Sequence, residues 1–219
     1  MKPRIKICCI NSIEEAKMAI AAGASAIGLV GKMPSGPGPI PDDLIRKIAS
    51  SVPPPIATFL LTSETSVEGI IEHHKRTNTN TIQIVDMLIG GTYEELKSAL
   101  PQAKIVQVIH VIDEGSVEAA IEISSHVDAL LLDSGNPLLK IKELGGTGRV
   151  HNWKLSRRIR ENSACPVFLA GGLKPENVRQ AIGEVQPFGV DVCSGIRING
   201  NLDSQLLVGF IGNVLECDI

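Results

Sequence analysis

One feature constrains this chain more than any other. Short, β-branched apolar runs alternate along its whole length with amphipathic stretches of helical period. Strands are predicted over 4–10, 24–30, 56–61, 81–85, 104–109, 129–133, 166–170 and 189–193. Helices are predicted over 13–22, 42–51, 67–77, 92–100, 116–124, 154–162, 175–185 and 204–215. Strands that alternate with helices pair in parallel through right-handed crossovers, which places the chain in the α/β class. Eight such units in 219 residues predict a closed (β/α)8 barrel, the TIM barrel, at the short end of its size range and therefore with tight loops. An open doubly wound sheet is the rival, but no G-x-G-x-x-G follows the first strand. The Pro/Gly-rich stretch 34–41 has the same pattern on both sides, so it reads as a loop, and 1–219 reads as a single barrel domain. Local signals agree. Asn11 or Ser12 caps the first helix, Gly23 suits its left-handed C-terminal cap, and Pro41 and Pro175 open the second and seventh.

Composition excludes several functions. Hydrophobic residues make up 43% and charged residues 21%, enough apolar content for a packed core. The net charge is −3, and the aromatic residues are one Trp, one Tyr and four Phe, so neither a basic nucleic-acid footprint nor a base-stacking platform is present. No apolar stretch approaches the roughly 20 residues of a membrane span, and the first residues lack the pattern of a signal peptide. Five cysteines without a C-x-x-C pair do not form a disulfide framework, and the expected location is the reducing cytoplasm.

In a barrel the chemistry sits at the C-terminal ends of the strands. The first strand ends in Lys6-Ile7-Cys8-Cys9, and period-2 alternation predicts that one cysteine faces the interior and the other the helices. The sixth ends in Asp133-Ser134, a carboxylate directly after an apolar run. A thiol and a carboxyl from opposite sides of a barrel suit a base and an acid. Each has a plainer reading, Cys8 as a small buried hydrophobe and Asp133 as a loop cap. Glycines follow the last three strands at Gly145-Gly146-Thr147-Gly148, Gly171-Gly172 and Ser194-Gly195, where backbone N–H groups approach an anion closely. His110 ends the fifth strand, either as a pocket-facing proton shuttle or as a structural histidine. Adjacent His73 and His74 lack metal spacing and are expected on a solvated helix face. Trp153 is expected to pack the sixth helix on the barrel, and Arg157, Arg158 and Arg160 to form a solvated face. Arg197 follows the last phosphate motif and is a candidate phosphate contact. Cys165, Cys193 and Cys217 are expected in core or surface positions without redox roles.

Together these motifs resemble the phosphoribosylanthranilate isomerase family of tryptophan biosynthesis. The resemblance rests on Lys6–Cys8, Leu131–Ser134, Gly145–Gly148 with Trp153, Ala170–Leu173 with Pro175–Val178, and Val190–Gly195, in the family's order and over nearly the whole chain. It implies a small (β/α)8 barrel and an aldose–ketose isomerase, an intramolecular oxidoreductase that carries out an Amadori rearrangement without cofactor or metal. It assigns Asp133 as general acid toward the ribose ring oxygen and Cys8 as base toward the C2 proton. Their reference pKa values, about 3.9 and 8.5, require the site to pull both toward neutrality. The substrate phosphate would rest on Gly146, Gly148, Gly171, Gly172, Ser194 and Gly195.

Departures from the family pattern cluster on one side. After the second strand, Ser35 is kept, but the arginine expected to grip the anthranilate carboxylate is missing, and Lys32 is the nearest cation in the loop. After the fourth strand the family's Gln-Leu-His-Gly becomes Gln83-Ile84-Val85-Asp86. The glycine after the catalytic cysteine becomes Cys9, and the acidic residue after the last Ser-Gly becomes Ile196-Arg197. The expectation is a retained phosphosugar half and an altered amine half in which Asp86 repels a carboxylate. Two further readings follow: a family enzyme for a different amine or phosphosugar, and a non-catalytic phosphosugar-binding protein. Lys6 completes the pocket candidates, and the sequence carries no signal of oligomeric state.

Overall fold

The computed structural model describes residues 2–136, 142, 144 and 148–218. Eight parallel strands close into a barrel: β1 (Arg4–Ile7), β2 (Ala26–Val30), β3 (Ala57–Thr62), β4 (Thr81–Ile84), β5 (Lys104–His110), β6 (Ala129–Asp133), β7 (Val167–Leu169) and β8 (Gly189–Val192). Closure is made by β8 against β1, with Lys6 opposite Asp191. Eight helices surround it: α1 (Ile13–Ala22), α2 (Asp42–Ser51), α3 (Val67–Thr77), α4 (Tyr93–Ala99), α5 (Glu114–Ile123), α6 (Trp153–Asn162), α7 (Val178–Val185) and α8 (Ser204–Leu215). After β8 come a single 3₁₀ turn, Ser194–Ile196, and a small hairpin of β9 (Arg197–Ile198) and β10 (Asn201–Leu202) that the sequence reading does not anticipate.

Strand alternation sorts the core into two layers. Ile7, Ile27, Leu29, Leu130 and Leu132 face outward against the helices. Phe59, Val106, Val108, Leu131 and Phe168 fill the barrel interior. Asp133 continues the inward set of β6 after Leu131, and so emerges at the mouth. Helix starts follow the expected chemistry: Ser12 caps α1 through the Glu15 N–H, and Gly23, at φ 115°, ends that helix in the left-handed region. Helix α7 begins later than Pro175 predicts. Asn177 ties the preceding segment into a turn, accepting from the Lys174 N–H at 2.9 Å and donating to the Gly172 carbonyl at 2.9 Å.

Two helix expectations need correction. His73 and His74 are both buried. His73 Nδ1 meets Thr62 Oγ1 at 2.8 Å and its Nε2 meets Asp42 at 3.2 Å, while His74 Nε2 meets the Thr79 carbonyl at 2.7 Å. Each finds a polar partner under α3, so neither needs solvent. Arg160 is half-buried and donates to the Val185 carbonyl, whereas Arg157 and Arg158 lie exposed as expected. Trp153 packs into the layer between helices and sheet. Among the described residues, no helix is long and apolar enough to cross a membrane.

Candidate active site

The barrel mouth holds a cleft of about 700 Å³, counting its open side. Cys8 and Asp133 line it from opposite walls, joined by Ser35, Gln83, Leu131 and Asp191. Gly148, Gly171, Gly172 and Ser194 line the side built by the last three βα loops. Gly172 sits at φ 64°, and a Cβ there would come within 2.6 Å of the Arg149 backbone, so only glycine lets these loops meet. Gly195 stands behind the cleft wall, pressed against the Leu173 carbonyl, and couples the loop after β7 to the one after β8. Gly146, with Gly145 and Thr147, lies outside the described residues.

Both cysteines line the cleft, which corrects the alternation argument. Strand β1 ends at Ile7, and Cys9 adopts φ 61°, so the period of 2 stops one residue before the thiols. Cys193 also lines the cleft and is not a remote core residue. Beneath them lies Lys6, fully buried, with its ammonium 2.8 Å from Asp191 and 5.2 Å from the centre of the Phe59 ring. Burial works against this charge, but Asp191 and the neighbouring thiols hold it above the ordinary lysine range. Lys6 therefore forms the charged floor of the site and does not itself line the cleft. The Cys8 thiol is held below its ordinary range: a hydrogen bond from Cys9 lowers it most, burial opposes, and the Lys6 charge lowers it further.

Asp133 Oδ1 accepts from the Ser134 N–H at 2.7 Å. Beside it stands His151, which no sequence motif singles out. A Cβ on Gly171 would meet His151 Nδ1 at 2.9 Å and Asp133 Oδ1 at 3.1 Å. His151 Nε2 meets Ser156 Oγ at 2.6 Å, and its Nδ1 is buried without a partner among the described residues. Burial pushes this histidine down to about 4, against the pull of Asp133. Its one sequence signal is its place in the loop between a glycine motif and Trp153.

Several pocket candidates stand elsewhere. Arg197 does not reach the phosphate loops. Its guanidinium pairs with Glu15 at 2.9 Å and donates to the Cys9 carbonyl at 2.7 Å, because the hairpin folds it back under β1. Lys32 is exposed and outside the cleft lining. His110, in register with Asp133, bonds the Val85 carbonyl at 3.0 Å and does not line the cleft. Asp86 is buried, outside the cleft lining, and its charge is paired with the Lys142 ammonium. Ser35 donates to the Lys142 carbonyl, which fixes this cation beside the loop after β2.

A closed (β/α)8 barrel with a thiol and a carboxyl facing each other across a glycine-lined mouth defines a class: barrel enzymes that move protons on a phosphorylated small molecule. The family profile described as N-(5'-phosphoribosyl)anthranilate (PRA) isomerase matches residues 5–213, and the chain belongs to that family. It is 38% identical to N-(5'-phosphoribosyl)anthranilate isomerase 2 of Methanosarcina mazei, over 95% of this chain and 92% of that one. Among solved structures it resembles the phosphoribosyl anthranilate isomerase of Thermotoga maritima, with TM-score 0.80, 29% identity and coverage of 97% and 98%. It also resembles a phosphoribosyl anthranilate isomerase in complex with reduced 1-(o-carboxyphenylamino)-1-deoxyribulose 5-phosphate, with TM-score 0.77, 27% identity and the same coverage.

Proposed function

We infer that this protein isomerises N-(5'-phosphoribosyl)anthranilate by an Amadori rearrangement, as one cytoplasmic barrel domain over 1–219. The observation that carries the reading is the placement of Cys8 and Asp133 on opposite walls of one cleft whose third side is built from Gly148, Gly171, Gly172 and Ser194. Phosphate seated on that glycine side leaves the ribose between thiol and carboxyl. Asp133 gives its proton to the ring oxygen. The C1–O bond breaks, the amine lone pair forms C1=N, and the ring oxygen becomes the 4-hydroxyl. The Cys8 thiolate then takes the C2 proton, and the released pair forms C1=C2 and neutralises the iminium. Protonation at C1 and loss of the 2-hydroxyl proton give the 2-ketone. The sequence of steps is a net isomerisation and consumes no oxidant or reductant. The Cys8 thiol is held below its ordinary range, the direction a base requires.

Lys142 supplies the cation for the anthranilate carboxylate in place of the missing arginine. Ser35, which lines the cleft, holds the Lys142 carbonyl, and the ammonium, paired with Asp86, would share itself with an incoming carboxylate. A lysine is a point charge without the fork of a guanidinium, so it steers the carboxylate with less geometric demand. The test is turnover of N-(5'-phosphoribosyl)anthranilate by the purified protein, followed by loss of substrate fluorescence. Turnover that supports growth of a tryptophan auxotroph is expected. Binding of the phosphosugar without turnover would replace this reading with that of a silent binding protein.

A further inference from the structure

His151 lies in the loop before α6, close behind Asp133 and outside the cleft lining. One ring nitrogen is anchored. Its Nε2 stands 2.6 Å from the hydroxyl of Ser156, in the first turn of α6. Ser156 is fully buried, and among the described residues its hydroxyl has no second partner. A buried hydroxyl gives its proton to the acceptor in reach, so Ser156 donates to Nε2. Burial keeps the ring neutral, and its one proton therefore sits on Nδ1. That N–H is buried and finds no acceptor among the described residues. The acceptor it faces is Asp133. Gly171 stands between them at φ 79°, and a Cβ on it would lie 2.9 Å from His151 Nδ1 and 3.1 Å from Asp133 Oδ1. The bare Cα leaves the two polar atoms facing one another with no side chain between. At rest Asp133 Oδ1 already accepts from the Ser134 N–H at 2.7 Å, and an acid that holds its proton has little need of a second donor. The need arises once the proton has left, because an ionised carboxylate is the stronger acceptor.

We propose that His151 is a positioning residue for the isomerase: its Nδ1–H, held in that tautomer by Ser156, is reserved for the Asp133 carboxylate that forms as the ribose ring opens. The proposal rests on the reading of Asp133 as acid. A donor aimed at a charge that develops only during the reaction stabilises the transition state more than the ground state. A neutral ring, with Nε2 already engaged, does not take the Asp133 proton for itself. The other charged or titratable groups that face Asp133 are Asp191 from β8, ion-paired with Lys6 from β1, and Cys8 across the cleft. On β5, His110 is in register with Asp133 but spends its Nε2–H on the Val85 carbonyl. From β7 and its loop the neighbours are Ala170 and Gly171, which do not titrate. Asp191 repels the new carboxylate, so among these groups His151 is the donor placed to receive it.

Two amides test the two halves of the ring. His151→Asn sets a side-chain N–H near the Nδ1 position, and His151→Gln sets its amide near Nε2. His151→Asn is therefore expected to keep kcat for N-(5'-phosphoribosyl)anthranilate within a few-fold of wild type. His151→Gln keeps only the Ser156 contact, and its kcat is expected to fall by about tenfold to a hundredfold with KM little changed, the range of one charge-assisted hydrogen bond. A ring that merely anchored the loop through Ser156 would give the reverse order, and that result overturns the proposal. A second readout needs no substrate: the NMR shift of the Asp133 carboxyl carbon across pH. Its midpoint is expected to rise by about one pH unit in His151→Gln, which lacks a donor to the ionised form, and to stay near wild type in His151→Asn. An unmoved midpoint in His151→Gln, shown by a thermal melt to be folded, overturns the proposal whatever the turnover. If His151→Gln does not fold, a folded but inactive His151→Asn overturns it equally. Failure of the acid assignment reads differently: Asp133→Asn would keep its turnover while the carboxyl midpoint still moved in His151→Gln.

Discussion

At the residue scale the site divides into the proposed base and acid, Cys8 and Asp133, and the groups that hold them. Cys8 and Asp133 are legible in the sequence because each is a reactive side chain at the end of an apolar run. Their neighbours are less so. Cys9 breaks the alternation rule through one left-handed dihedral, and no pattern of side chains announces that. Lys142 sits 56 residues from Asp86 in sequence, so the pair is visible only once the barrel brings two loops together. If Lys142 receives the carboxylate, Lys142→Ala should raise KM for N-(5'-phosphoribosyl)anthranilate by roughly tenfold to a hundredfold, the range of a charge-assisted contact of about 1.5–3 kcal/mol, with kcat little changed. The analogue that carries aniline in place of anthranilate should respond far less. Steady-state kinetics with both compounds checks this, and an equal loss for the two would remove Lys142 from substrate recognition.

At the element scale the small hairpin after β8 is the largest difference between expectation and structure. Its signal was present. Asn199-Gly200 forms the two-residue turn, both at positive φ, 51° and 81°, as a type I′ connection requires. The strands are only two residues each, too short for alternation to register. The hairpin carries Arg197 back under β1, where Glu15 accepts from the guanidinium and from the Leu202 N–H at 3.0 Å. Burial opposes the Glu15 charge, but these bonds hold its carboxyl below the usual range. Removing one partner of a buried pair strands the other. Arg197→Met, which keeps the alkyl stem, should therefore cost about 3–5 kcal/mol in urea unfolding. Glu15→Gln in the same chain should restore part of it. A loss below about 1 kcal/mol would show that the hairpin does not depend on this brace.

At the scale of the whole molecule the barrel was legible because its period is coarse. Eight strand–helix units survive boundary errors of one to three residues, such as the late start of α7 at Val178. Ionisation couples the site to the stability of the fold. His151 has its pKa lowered from 6.5 to about 4 by burial, so between those values the unfolded chain binds a proton that the folded chain refuses. Stability should fall as pH drops through that window, and His151→Gln should flatten the fall. Urea midpoints of both proteins at pH 7 and pH 5 check the sign, and parallel slopes would mean that His151 charges freely in the folded state. The central claim remains the pairing of base and acid across one cleft, and one measurement tests it most directly. Cys8→Ala and Asp133→Asn are assayed for turnover of N-(5'-phosphoribosyl)anthranilate and, in parallel, for binding of the reduced product analogue. The account predicts turnover lowered by about a thousandfold or more in each variant, with analogue binding within a few-fold of wild type. Turnover within about tenfold of wild type in either variant would contradict it.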